Sequence, residues 1–202
     1  MIARFATFAV AALLLAGCTT PTTRIDIRND RGSAVAALDY RDIQEAVSEL
    51  AQSLFRTGRL NRADGKLNVL TVGNVENDTM QHLDTDILTN YLVEEMVNSG
   101  QVLVSSAISH GASQRDEMIG AVRSVRGDPE FNQSTVAAQG QLVDANLSLK
   151  GKIVQRELRM DGGDKQVEYY FSMMLTDTHT GLRLWQKQHL IGKRTDARTP
   201  TW

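Results

Sequence analysis

Cysteine and proline are scarce in this sequence, and the cysteine count excludes an internal disulfide. Cys18 is the single cysteine among 202 residues, and there are three prolines. The fold must therefore be stabilised by its hydrophobic core, for which a hydrophobic content of 42% is ordinary. An excess of charge of one sign is lacking too, because the formal net charge is −2. Composition thus gives no indication of nucleic acid or an anionic surface as a partner.

The N-terminus carries an apolar run with the features of a targeting segment. Arg4 precedes this run, which extends from Phe5 to Leu15 and is too short for the about 20 residues that a membrane-spanning helix needs. The run ends in Leu15-Ala16-Gly17-Cys18, which resembles the lipobox of bacterial lipoproteins. We expect a signal peptide at residues 1–17, cleavage between Gly17 and Cys18, and lipidation of Cys18. An ordinary secretory signal with an incidental cysteine is the alternative.

Residues 18–38 are predicted to be a short tether behind the lipid. Thr19 rather than aspartate follows the lipidated cysteine, which favours anchoring in the outer membrane on its periplasmic side. The tether is polar, contains Pro21, and spans at most about 70 Å when fully extended. Ile25 to Ile27 could pair within it as a small strand. We expect one globular domain at residues 39–195, followed by a tail at residues 196–202.

The first half of this domain predicts alternating helices and strands. Asp39 is a plausible N-cap for an amphipathic helix that ends near Gly58. Leu67 to Val72 is nearly continuously apolar, as in a central strand covered on both faces. A second helix has an apolar stripe and is followed directly by a strand at Val102 to Val104. The stripe consists of Ile87, Leu88, Tyr91, Leu92 and Met96.

The second half predicts one further helix and then an antiparallel meander. We expect a helix from Ser113 to Arg126 with Met118, Val122 and Val125 inward, and a helical piece at about Ser134 to Gln141. Apolar and polar residues then alternate through two strands, and a turn leads into a third strand. These begin at Ala145, extend from Val167 to Leu175 and from Leu182 to Ile191, with a hairpin turn at Asp161 to Asp164. The predicted fold is a single α/β domain whose mixed four- to five-stranded sheet is packed by about four helices.

No enzyme signature occurs in the sequence. The GxxxxGK[ST], GxGxxG and GxSxG motifs are all missing, so the usual scaffolds for phosphate binding and serine nucleophiles are not indicated. None of the four histidines has a partner at metal-ligand spacing. Asp84 and Asp86 fit a helix N-terminus, and Asp161 and Asp164 fit a tight turn. We therefore predict a protein without catalytic residues, metal or cofactor.

Two groups of residues are candidates for a partner-binding surface. Tyr170 and Trp185 are aromatic residues on neighbouring predicted strands, and such residues are enriched in protein interfaces. The alternative, which we favour, is that a helix covers this side and both rings belong to the core. Arg115, Arg123 and Arg126 lie away from the apolar positions of their predicted helix. They form either a basic, partner-facing edge or an ordinary solvated face.

Together these features resemble the LpoB family of penicillin-binding-protein activators over roughly residues 40–195. The resemblance is carried by Asn77 to Thr79, by the strand at Gly151 to Ile153, and by the turn Thr180-Gly181-Leu182 that leads to Trp185. Related periplasmic lipoproteins and the N-terminal domain of TolB share this layout. The resemblance implies a fold like that TolB domain. It also implies a non-catalytic outer-membrane lipoprotein that binds a bifunctional class A penicillin-binding protein and activates its synthesis of peptidoglycan.

The tether departs from the family pattern. Members that reach across the cell wall have a long, proline-rich tether, whereas this chain has about 20 residues there, with Pro21 alone. The alternative function is that of a structural or assembly lipoprotein, accessory to an envelope secretion or appendage complex. Neither interpretation requires a small-molecule substrate or a nucleic acid.

Overall fold

The computed structural model describes Asp26 and residues 35–108, 115–196, 198 and 199. The predicted signal peptide and Cys18 lie outside these residues. Of the predicted strand at Ile25 to Ile27, only Asp26 is described. Three helices are present in the described part: α1 (Tyr40–Arg56), α2 (Thr85–Asn98) and α3 (Met118–Ser124). Six strands accompany them: β1 (Asn68–Val72), β2 (Glu76–Asp78), β3 (Val102–Val104), β4 (Leu147–Arg159), β5 (Lys165–Asp177) and β6 (Arg183–Thr195).

These strands form one mixed sheet, as predicted. Its order is β3-β1-β4-β5-β6, and β2 pairs with β4 beyond the end of β1. The pairs β1/β3, β1/β4 and β2/β4 are parallel, whereas β4, β5 and β6 form an antiparallel meander. β2 is the strand that the sequence did not predict, because Glu-Asn-Asp has no apolar residue and therefore no strand-like alternation.

Helix α1 begins where the sequence predicts, because Asp39 completes a capping box. Its carboxylate accepts the backbone N–H groups of Arg41 and Asp42, and the Asp42 carboxylate accepts the Asp39 N–H at 2.8 Å. The helix ends at Thr57, and the following Gly58 has a φ of +67°, which glycine adopts without strain. Local sequence therefore determines both ends of α1.

The core lies on one face of the sheet, beneath α1 and α2. Alternate residues of β4 and β5 are buried, and they contact the apolar sides of the two helices. Gly151 on β4 leaves room for its neighbours, since an added Cβ would lie 3.2 Å from the Val75 side chain and 3.3 Å from the Phe171 ring. A substitution here would crowd the centre of the core.

Two predictions for the segment after β3 are wrong. α3 is shorter than the predicted helix from Ser113 to Arg126 and has no buried residue. Met118 and Val122, expected to face inward, are 63% and 56% exposed. The predicted helical piece at Ser134 to Gln141 forms turns and bends instead. The apolar residues of α3 do recur with a helical period. They remain exposed because no described helix or strand packs on them, and periodicity alone does not provide a packing partner.

The domain begins before Asp39, because the end of the predicted tether is bonded to the fold. The Tyr169 hydroxyl donates to the Ala36 carbonyl at 3.1 Å, and the Lys193 ammonium donates to the Ala37 carbonyl at 2.7 Å. The Leu38 N–H donates to the Gln81 side chain at 3.1 Å. Three residues that the sequence assigns to the tether are thus bonded to the fold.

Tyr169 gives this junction a pH dependence. Burial, with smaller contributions from Asp42 and Glu157, raises the pKa of the phenol from 10.0 to about 12. The folded state therefore keeps the proton to higher pH than the unfolded chain, so the contribution to stability is complete below about pH 10 and is lost between about pH 10 and 12. We expect this loss to be about 3 kcal/mol.

The Tyr169→Phe variant should lack that part of the alkaline decline. Urea unfolding of both proteins at several pH values between about 9 and 12 measures the difference, since all other titrating groups are common to the two. Parallel stability curves would contradict the assigned role of the phenol.

Candidate docking surface

On the side of the sheet opposite the core, no described helix packs on the antiparallel strands. Cross-strand partners share a face, so the register places these outward side chains in rows across the three strands. The described core cluster contains none of them. We call this surface the open face; it comprises Lys150, Lys152, Val154, Arg156, Glu168, Tyr170, Ser172, Met174, Gln188 and Leu190.

Tyr170 lies at the centre of the open face, between Val154 on β4 and Leu190 on β6. Its hydroxyl donates to Glu168 at 2.5 Å, and Arg156 is the cross-strand partner of Glu168. This hydrogen bond raises the pKa of the Tyr170 phenol and lowers the pKa of the Glu168 carboxyl. Leu190 is 55% exposed beside the ring. The result is an apolar centre with an ordered, charged border, the composition typical of protein interfaces.

A second charged group borders the open face where β2 meets β4. The Lys152 ammonium lies 2.8 Å from Glu76 and 3.0 Å from Asp78. The Glu76 hydrogen bond is the main cause of the raised pKa of Lys152, and the same bond lowers the pKa of Glu76. These groups are exposed, so the network fixes side-chain positions more than it stabilises the fold.

A shallow cavity of about 410 Å³ lies next to this border. Thr71, Asn74, Ser148 and Lys150 contribute to its lining. The Asn74 Oδ1 atom is buried and has no hydrogen-bond partner in the described part of the chain. The Thr71 hydroxyl already donates to the Ile108 carbonyl at 2.7 Å. The cavity is open to solvent, and Glu76 also contributes to its lining.

The two predicted aromatic residues lie on opposite sides of the sheet. Trp185 is the cross-strand partner of Leu175, faces the helices and packs against the core. Tyr170 lies on the open face, which no described core residue occupies. The favoured interpretation is therefore right for Trp185 and wrong for Tyr170, and the two rings do not form one patch.

The predicted arginines are not on the open face. Arg126 donates to the carbonyls of Ala137 and Ala138 at 2.7 and 3.0 Å, and Arg123 donates to Ala138 at 3.4 Å. These contacts fasten the loop after α3 to the helix. Arg115 is exposed at the start of the same segment. A role of the three in partner binding stays a prediction, and for Arg123 and Arg126 the structure adds an intramolecular one.

Neither a metal site nor a membrane-spanning helix occurs within the described ranges. No group of three or more His, Cys, Asp or Glu residues there is arranged to hold a metal. No described helix is long and apolar enough to cross a membrane. Asp84 caps α2, as expected, by accepting the Asp86 N–H at 3.0 Å. His189 contacts Glu49 at 2.7 Å and fastens α1 to β6.

The sequence does not indicate that Leu190 lies beside Tyr170 at the centre of the open face. Alternation in β6 is obscured because polar residues occupy both of its faces, as in Lys187, Gln188 and His189. Its position can be inferred only indirectly, because Leu190 is identified as the cross-strand partner of Tyr170 once the register of β5 and β6 is known.

Comparison with known proteins gives one family and several solved structures. The family model described as "Peptidoglycan-synthase activator LpoB" matches residues 42–191. The LpoB C-terminal domain from Escherichia coli is 17% identical and has a TM-score of 0.41, with 75% of this chain and 99% of that chain covered. The corresponding domain from Salmonella enterica is 16% identical, with a TM-score of 0.41 and coverages of 74% and 98%. Lipoprotein GNA1162 from Neisseria meningitidis is 13% identical, with a TM-score of 0.38 and coverages of 63% and 84%. No curated protein sequence matches this chain.

Proposed function

Because the chain belongs to the LpoB family of peptidoglycan-synthase activators, we propose that it binds and activates a class A, bifunctional penicillin-binding protein. The family match over residues 42–191 is the observation that carries this proposal. The open face supports it, since it offers an apolar centre and a charged border to a protein partner.

Activation by such a protein requires a coupling free energy and no catalytic residue of its own. If the activator binds the more active conformer of the synthase more tightly, it raises the population of that conformer by the ratio of the two affinities. The ordered network of Tyr170, Glu168 and Arg156 would keep the surface preorganised, so that less entropy is lost on docking.

The proposed location is the outer membrane, with Cys18 lipidated and the domain on the periplasmic side. Mass spectrometry of the mature N-terminus tests the cleavage and the lipidation. A chain that is not cleaved before Cys18, or that carries no lipid on Cys18, would exclude the proposed anchor. The contacts of Ala36, Ala37 and Leu38 with the domain shorten the free tether. The synthase must therefore extend towards the outer membrane to meet the domain, because the fully extended tether reaches at most about 70 Å.

Leu190→Asp should lower affinity for the synthase by about tenfold or more, because it places an unpaired carboxylate in the apolar centre of the open face. Leu182→Asp is the matched control: Leu182 is 64% exposed, but it lies in the turn before β6. Its affinity should stay within about twofold of the wild type.

The measurement uses the full, lipidated chain in detergent with each class A synthase of the same bacterium. Binding is followed by biolayer interferometry and activation by a glycan polymerisation assay. Wild-type protein that neither binds nor stimulates any of these synthases would exclude the proposed function. Equal losses for the two leucine variants would exclude the open face as the docking surface while leaving the function standing.

A further inference from the structure

β6 is the edge of the sheet beyond β5, and half of its backbone groups point away from the sheet. The Met160 N–H donates to the Asp164 carbonyl, and these two residues continue the register in which β4 pairs with β5. Hydrogen-bonded pairs recur at every second residue, so even-numbered residues of β5 bond to β4 and odd-numbered residues bond to β6. In β6 the odd-numbered residues therefore bond to β5. The outward N–H and C=O groups belong to Gln186, Gln188, Leu190, Gly192 and Arg194.

This outer edge has no backbone partner among the residues that the structure describes. A long, regular edge strand is unusual in natural proteins, which shorten, bend or cover such strands to prevent unwanted pairing. β6 has 13 residues, contains no proline, and its irregularity lies at its beginning, opposite Leu175 and Thr176. The rest of the edge is regular, and no described residue forms a backbone hydrogen bond with its outward groups; Val35 to Ala37 and Thr199 line a cavity beside Gly192 to Thr195.

We propose that β6 accepts an extended, acidic segment of the synthase as an additional antiparallel or parallel strand, which continues the open face. The proposal rests on the function proposed above and specifies how the partner is held. Main-chain hydrogen bonds to the outward groups of β6 would supply affinity, and side chains of the added strand next to Leu190 would supply specificity.

The charges of β6 favour an acidic segment. The strand contains Arg183, Lys187, Lys193 and Arg194 and no acidic residue. Glu49 already pairs with Lys187 and Asp42 with Lys193. Arg183 and Arg194 make no ion pair with a described residue, and they lie at the two ends of the edge, about 36 Å apart along the strand. Carboxylates on an added strand would pair with both.

A second copy of this chain fits the edge less well. Pairing two β6 strands would bring together two sets of cations without a carboxylate on either strand. Like charges opposed across strands are unfavourable, so charge selects against self-pairing.

Hydrogen exchange at single residues tests strand addition directly. On binding to the purified synthase, the amides of Gln188, Leu190 and Gly192 should exchange about tenfold or more slowly, because each gains a partner carbonyl. Slower exchange confined to open-face residues of β4 and β5, without slower exchange of these β6 edge amides, would mean docking through side chains alone and would overturn the proposal. Concentration-dependent protection in the wild-type protein alone would assign the edge to a second copy and would also overturn it.

Gln188→Pro provides the complementary variant. Proline removes an N–H that points away from β5, so the β5/β6 ladder stays intact, as is tolerated at sheet edges. Affinity for the synthase should fall about tenfold or more, since a carbonyl of the added strand loses its donor. Gln188→Ala removes the same open-face side chain but keeps the N–H, so it is the reference, and the tenfold loss should appear in the comparison of the proline variant with the alanine variant.

The two proposals fail in different ways. Binding of Gln188→Pro with unchanged affinity would overturn strand addition and leave the activator function intact. A wild-type chain that binds none of the synthases would overturn both. Circular dichroism establishes that the proline variant is folded; should it unfold, the exchange pattern of the wild-type complex decides the question.

Discussion

Replacing Lys193 by methionine should lower the free energy of unfolding by about 3–5 kcal/mol. The Lys193 side chain is 10% exposed, and its ammonium group forms an ion pair with Asp42, whose side chain is 18% exposed. It also donates to the Ala37 carbonyl. Methionine has a similar length but no charge, so the largely buried Asp42 carboxylate would lose its cation and keep only the Asp39 N–H, and the Ala37 oxygen would lose the ammonium donor.

Lys187→Met is the matched control, because Lys187 lies on the same face of β6 and pairs with Glu49 of the same helix at 3.0 Å. This pair is solvated, with side-chain exposures of 33% and 46%, so its loss should cost less than about 1 kcal/mol. Urea unfolding of the two variants and the wild type measures both values. A similar cost for the two substitutions would show that burial does not decide the strength of the Lys193 contact.

Replacing Phe171 by alanine should also lower the free energy of unfolding by about 3–5 kcal/mol. Phe171 is 2% exposed, and its ring packs against Gly151 on β4, which has no side chain to fill the space left behind. The cavity would lie under both helices, where the sheet is paired on either side and cannot collapse.

Leu190→Ala serves as the comparison for this substitution, since Leu190 is 55% exposed on the other face of the meander. Its effect on stability should be below about 1 kcal/mol. Thermal and urea unfolding measure the difference. A cost for Phe171→Ala of that same small size would mean that the core relaxes around the vacancy, contrary to the tight contacts at Gly151.

The long strands and the first two helices were readable from sequence because each carries its own signal. β4 and β5 alternate between buried and half-buried residues as their sequences predict. Asp39 and Asp84 cap the helices that follow them, and capping depends on contacts within one turn. The mixed sheet followed from the order of these elements.

Features that depend on contacts between distant segments were not readable in this way. β2 exists because β4 offers it a backbone, and its own side chains give no strand signal. α3 has a helical apolar period, yet Met118 and Val122 are exposed because no described element packs on them. The open face likewise depends on which side of the sheet α1 and α2 cover.

The scarcity of cysteine is a feature whose consequence can be inferred from the sequence alone. The sequence alone determined that no internal disulfide holds the chain and that a buried core must do so, because one thiol has no partner. It also determined the alternation of the meander. Only the tertiary structure decided that Tyr170 and Trp185 face opposite ways and that Lys193 holds the tether end beside Asp42. Register and long-range ion pairing join residues far apart in the chain, and no local pattern records such contacts.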